Sequence, residues 1–177
     1  EGVQAWQAIK REVITSDFIQ SRLPDRPLDA HKGTFGTAMI VAGSMNFSGA
    51  ALLAGESAHR VGAGLVTIAV PEPIYSSLAG QFREATWLVL PQENGVISEA
   101  AASEILDNLG RTTAMLIGPG FGIADTTRNF LFRILSSINA DTLQNQPQMK
   151  RQLPPLVIDA DGLKLLASIP EWANHLP

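Results

Sequence analysis

The chain has 177 residues, a formal net charge of −4, 45% hydrophobic and 17% charged residues, and no cysteine. That hydrophobic share argues against disorder, and an acidic balance without a basic cluster excludes a dedicated nucleic-acid surface. The lack of cysteine removes disulfides, thiolate nucleophiles and cysteine metal sites together, and no apolar run approaches the ~20 residues of a membrane span.

Residues 1–30 read as a peripheral lead-in, with one helix near "SDFIQSRL" and then an extended "PDRPLDA". A glycine-bearing turn, "HKGTFG" (31–36), precedes the first of five apolar runs: 37–43, 65–70, 86–90, 113–118 and 156–160. These runs are apolar throughout rather than alternating, which predicts strands covered on both faces of a parallel sheet. Helical patterns lie between them at 48–62, 72–82, 98–110 and 125–138, and a fifth follows at 161–169. Ser48, Ser98 and Asp125 mark helix starts, and Gly110 is placed to close the third helix. Residues 139–155, with four glutamines and three prolines, read as a long surface excursion. Strand–helix alternation of this regularity predicts an α/β three-layer αβα sandwich with a mostly parallel sheet. No internal repeat is visible.

Ligands in open α/β sheets gather at the carboxyl ends of the strands. The first strand exits into "GSMNFSGAALLAG", whose helix begins with Gly49, Ala50 and Ala51. Bare amides at a helix start suit an anion or other ligand. Ala50, Ala51, Ala54, Gly55 and Ala58 would also let that helix lie close to the sheet, and the two readings are compatible. The fourth strand exits into "GPGFG", with Gly118, Gly120 and Gly122 alternating; this is neither the G-x-G-x-x-G fingerprint nor a P-loop. The fifth exits into "DADGL". Asp159 and Asp161 there either hold a hydrated Mg2+ or orient a phosphate, or else serve as helix cap and backbone partner. Lys32 either pairs with a phosphate or is a solvated turn residue. The three histidines (His31, His59, His175) have no zinc-ligand spacing, and His59 and His175 read as structural.

Taken in order, "HKGTFGTAMIVAGSMNFSGAALLAGESAHRVGAGLVTIAVPE" (31–72), "IGPGFG" (117–122) and "LVIDADGL" (156–163) resemble the ADP- or ATP-dependent NAD(P)H-hydrate dehydratases. The resemblance covers residues 15–177. It implies a ribokinase-like fold and a metabolite-repair lyase, with 31–177 as the N-terminal part of the dehydratase domain. The substrate would be the S epimer of NADH or NADPH hydrate, and ADP or ATP with Mg2+ would drive its dehydration. Ala50 and Gly122 match positions that bind the hydrate in the family, with Gly49, Ala51 and Gly120 beside them. Asp159 and Asp161 match its acidic pair. The lead-in is similar to the bifunctional form, which implies an epimerase domain in the parent protein, and the family resemblance implies a homo-oligomer. The absence of cysteine, of a membrane-length apolar run and of a signal-peptide core reads as a soluble, cytoplasmic protein. The family's Pro-His-Pro-Gly-Glu segment and its Gly-Thr-Gly-Asp motif, source of the catalytic Asp, do not occur in these residues. Residues 1–177 alone are therefore expected to be inactive. The alternatives are a ribokinase-like small-molecule kinase and a non-catalytic dinucleotide-binding fragment.

Overall fold

A computed structural model describes residues 12–140 and 153–176. The chain divides after Ala30 into two compact units. The first carries α1 (Ser16–Gln20), whose N-cap Thr15 accepts a hydrogen bond from the Phe18 N–H at 3.2 Å.

The second unit begins with a 3-10 turn, Lys32–Phe35. It continues through β1 (Thr37–Val41), α2 (Gly49–Arg60), β2 (Leu65–Pro71), α3 (Glu72–Ala79) and β3 (Thr86–Leu90). Two short strands, β4 (Gln92–Glu93) and β5 (Val96–Ile97), pair as an antiparallel hairpin before α4 (Ala101–Asp107). The chain closes with β6 (Ala114–Ile117), α5 (Asp125–Ala140), β7 (Leu156–Ile158) and α6 (Asp161–Ala167). The hairpin is an addition to the elements expected from the hydrophobic runs. Most of the predicted 139–155 excursion lies outside the described residues.

The five longer strands form one parallel sheet in the order β3-β2-β1-β6-β7. Its two faces carry separate cores. On one, Ile40, Val66, Ile68 and Val70 pack against Ala51 of α2 and Ile74 and Leu78 of α3. On the other, Met39, Val41 and Ile117 meet Ile105 of α4, Phe130 and Ile134 of α5 and Leu165 of α6. A strand buried on both faces needs apolar residues at every position, which is why the runs did not alternate. Full burial of one such side chain contributes about 1.5–3 kcal/mol. Layers of helix, sheet and helix are the αβα sandwich the alternation predicts. Among the described residues no helix is long and apolar enough to cross a membrane.

Candidate functional site

The strand order places the site. From β1 the chain winds outward through β2 to β3, whereas β6 and β7 lie on the other side of β1. The helix after β1 therefore packs on one face and the helix after β6 on the other. Neighbouring exits that part in this way open a crevice at the carboxyl edge, the usual ligand position in such sheets.

Both exits are tied together at that edge. The Gly43 N–H donates to the Pro119 carbonyl at 2.8 Å, and the Gly118 N–H donates to the Val41 carbonyl at 3.2 Å. Gly120, at φ +70°, lies so close to the first exit that a Cβ on it would stand 2.8 Å from both the Ala50 Cβ and the Phe47 carbonyl oxygen. Only glycine fits this conformation in that space. Phe121 anchors the loop from beneath: it is fully buried and meets Phe130 edge to face at 6.0 Å between centroids.

The small residues leave accessible backbone. A Cβ added at Gly49 would meet no atom within 4 Å, and one at Gly122 only Val96 Cγ1 at 3.9 Å. Ser48 makes no side-chain cap to α2. Among the described residues, the Gly49 and Gly120 amides have no hydrogen-bond acceptor. Unpaired N–H groups beside a helix start are donors for a polar or anionic ligand. Exposed Met45, Phe47 and Ile123 supply apolar surface in the same two exits.

The β4–β5 hairpin closes one flank. Its tip, Asn94-Gly95, has φ of 52° and 80°, and the Gly95 carbonyl accepts the Met45 N–H at 2.8 Å. The Asn-Gly pair was the available signal for this element, since both positions adopt positive φ in a two-residue hairpin turn.

The β7 exit joins from the other flank. The Gly122 N–H donates to Asp161 Oδ2 at 3.0 Å, and Lys164 Nζ donates to Asp161 Oδ1 at 2.8 Å. The Lys164 hydrogen bond is the main cause holding the Asp161 carboxyl below its ordinary 3.8. The Gly122 amide and the lysine charge add to this, and burial works against it. Asp161 thus sits inside the first turn of α6 with both oxygens engaged. Asp159 is exposed, and among the described residues its carboxylate has no partner. No group of three or more His, Cys, Asp or Glu that could hold a metal ion occurs among the described residues. A carboxylate already accepting two donors and one free carboxylate do not fit a protein-built Mg2+ site.

Of the residues singled out from sequence, Gly49, Ala50, Gly120 and Gly122 come together at this crevice, with Asp161 bonded to Gly122; Ala51 instead is fully buried on the core face of α2, its N–H donating to the Ser48 carbonyl. Lys32 does not join them. It lies in the turn before β1, at the amino end of a strand of five residues rising about 3.3 Å each. Its carbonyl oxygen packs against Gly64, which precedes β2 at that same end.

A family model described as NAD(P)H-hydrate dehydratase matches residues 38–175. The bifunctional NAD(P)H-hydrate repair enzyme Nnr of Salinibacter ruber is 36% identical, covering 91% of this chain and 28% of that protein. The ADP-dependent (S)-NAD(P)H-hydrate dehydratase of Lactiplantibacillus plantarum is 32% identical, covering 93% and 50%. In three dimensions the chain is similar to the Bacillus subtilis ADP/ATP-dependent NAD(P)H-hydrate dehydratase co-crystallized with ATP/Mg2+. That match has a TM-score of 0.61 at 28% identity, over 84% of this chain and 46% of the other. A ribokinase-like superfamily protein from Enterococcus faecalis gives 0.66 at 22% identity, over 87% and 47%, which speaks to the fold. The chain spans half or less of each of these proteins.

Proposed function

The chain belongs to the NAD(P)H-hydrate dehydratase family, and from that premise we propose that it carries the substrate-side part of a nucleotide-dependent lyase returning (S)-NAD(P)H hydrate to NAD(P)H. The observation behind this reading is the contact of Gly120 with Ala50 across the crevice, beside the unpaired Gly49 and Gly120 amides. A pyridine dinucleotide is large, flat at its ring and anionic at its pyrophosphate. Backbone donors without side chains give it close approach, and the apolar surface of Met45 and Phe47 suits a ring.

The hydrate carries a hydroxyl where water has added across a nicotinamide double bond. ADP or ATP would supply the phosphoryl group that makes this hydroxyl a leaving group, and loss of phosphate with a ring proton restores the double bond. Such chemistry depends on positioning and on donors aimed at developing charge. The role of these 177 residues is binding and orientation. Mg2+ would arrive with the nucleotide phosphates, because the acidic residues here do not build a site for it. The aspartate of a Gly-Thr-Gly-Asp motif is absent from the 177 residues, so proton removal would fall to a group outside them. The epimerase domain that the resemblance implies for the parent protein is compatible with this assignment, as is the word bifunctional in the relatives' name.

The test is calorimetric titration of (S)-NADPH hydrate into the 177-residue protein and into Gly49→Trp, a bulky side chain at a position where an added Cβ meets no atom within 4 Å. Saturable binding abolished by the tryptophan supports the proposal, and equal binding by both proteins contradicts it. With ADP or ATP added, the 177 residues should release no NADPH above the uncatalysed rate; measurable turnover would place the missing proton-moving group within this chain.

A further inference from the structure

The β6–α5 exit is fixed on three sides, and the third differs in kind. The Gly43–Pro119 and Gly118–Val41 bonds are made between backbone groups, and Phe121 is held by burial. The distal end of the loop is held instead by a side chain 39 positions away in sequence, through the Gly122 N–H and Asp161 Oδ2. We infer that Asp161 is a positioning residue for the dinucleotide site: its carboxylate fixes the Gly122 peptide and so holds Gly120 against Ala50.

The geometry supports this in three ways. Gly120 and Gly122, at φ +70° and +75°, lack the side chains that would restrict their own rotation, so an external partner must select the conformation. The carboxylate cannot readily swing away, because Lys164 holds its other oxygen at 2.8 Å and its side chain is only 16% exposed. The base of α6 is also pressed onto the loop: a Cβ at Gly118 would stand 2.8 Å from the Gly162 backbone nitrogen. Asp161 is therefore mounted on an element in direct contact with the loop that it restrains. Displacement of a binding loop by about 1 Å is enough to weaken a site strongly.

The inference rests on the dehydratase reading for its ligand, and the test separates the two. Gly122 amide exchange with deuterium is followed in the wild type, Asp161→Ala, Asp161→Asn and Arg60→Ala, the last breaking a remote ion pair with Glu56. (S)-NADPH hydrate affinity is measured on the same proteins. Asp161→Ala should exchange Gly122 at least about tenfold faster and bind the hydrate about tenfold more weakly, with exchange in β1 unchanged. Asp161→Asn, which keeps an acceptor oxygen, should recover most of both, and Arg60→Ala should match the wild type. Fast Gly122 exchange with unaltered affinity in Asp161→Ala overturns the positioning role. So does unchanged Gly122 exchange, whether or not the hydrate binds. Absence of binding in the wild type would instead count against the dehydratase reading. Should Asp161→Ala fail to fold, the asparagine variant decides alone: Gly122 exchange or affinity at least as impaired as a deleted acceptor predicts, with no recovery, overturns the role of the acceptor oxygen.

Discussion

Two glycines at the crevice should respond in opposite ways to one added methyl. At Gly120 the backbone has φ +70° and the new Cβ meets Ala50 and Phe47 at 2.8 Å. Gly120→Ala should cost about 2–4 kcal/mol, from the strained dihedral and the overlap together. Gly49→Ala, in open space at the start of α2, should stay within about 1 kcal/mol of the wild type and can even stabilise it. Urea denaturation of both variants checks the pair. Asp161 gives a pH-dependent counterpart. Its folded value lies below the ordinary 3.8, so its stabilisation is complete above that value and is lost as pH falls through the folded one. Asp161→Asn should be less stable than wild type by about 1 kcal/mol at neutral pH, a modest figure because Lys164 is largely exposed. The gap should close on acidification below the ordinary value; a gap that widens would contradict the assignment. The glycines were visible in sequence because positive φ and close approach leave a compositional mark. The Asp161–Gly122 bond was not, since nothing local couples residues that far apart. Lys32 lies apart from these residues for a related reason: it is adjacent in the chain to β1 but at the amino end of that strand.

At the scale of elements, local pattern carried most of the fold. The five strands were readable as uninterrupted apolar runs, and the helices between them as small or amphipathic stretches. The β4–β5 hairpin escaped because its strands are two residues each and one of them is Gln92-Glu93. A pair that short has no periodicity of its own, and tertiary contacts hold it. Thr127 of α5 is fully buried and donates its hydroxyl to the Ile97 carbonyl at 2.8 Å, and the Thr126 hydroxyl accepts the Glu99 N–H at 3.2 Å. The hairpin is thus stitched to the helix that follows the glycine loop. Thr127→Val keeps the shape and leaves a buried carbonyl unpaired, which should cost about 1–3 kcal/mol. It should also raise exchange at Val96 and Ile97 more than in β1. Exchange raised equally in both would mean that the hairpin has no separate tether.

At the scale of the molecule, the sheet is asymmetric. Of its two edge strands, β3 lies on the side that α2 and α3 pack against, whereas β7 leaves Val157 61% exposed, and Leu163 of the following α6 is 50% exposed. Next to them Leu153, Pro155, Leu156, Ile158, Trp172 and Leu176 line an apolar cavity of about 610 Å3. Exposed apolar surface of this kind takes up apolar probes. The 177 residues should therefore bind an apolar fluorescent dye, and Val157→Lys with Leu163→Glu should reduce that signal without altering hydrate affinity. Full signal retained in the double variant would place the dye elsewhere. The crevice between the β1 and β6 exits is tested most directly by an amide-resolved titration with (S)-NADPH hydrate. The expected result is saturable shifts concentrated at Gly49–Ala51 and Gly120–Gly122, with Lys32 silent. Shifts confined to the amino ends of the strands, around Lys32 and Leu65, would contradict it.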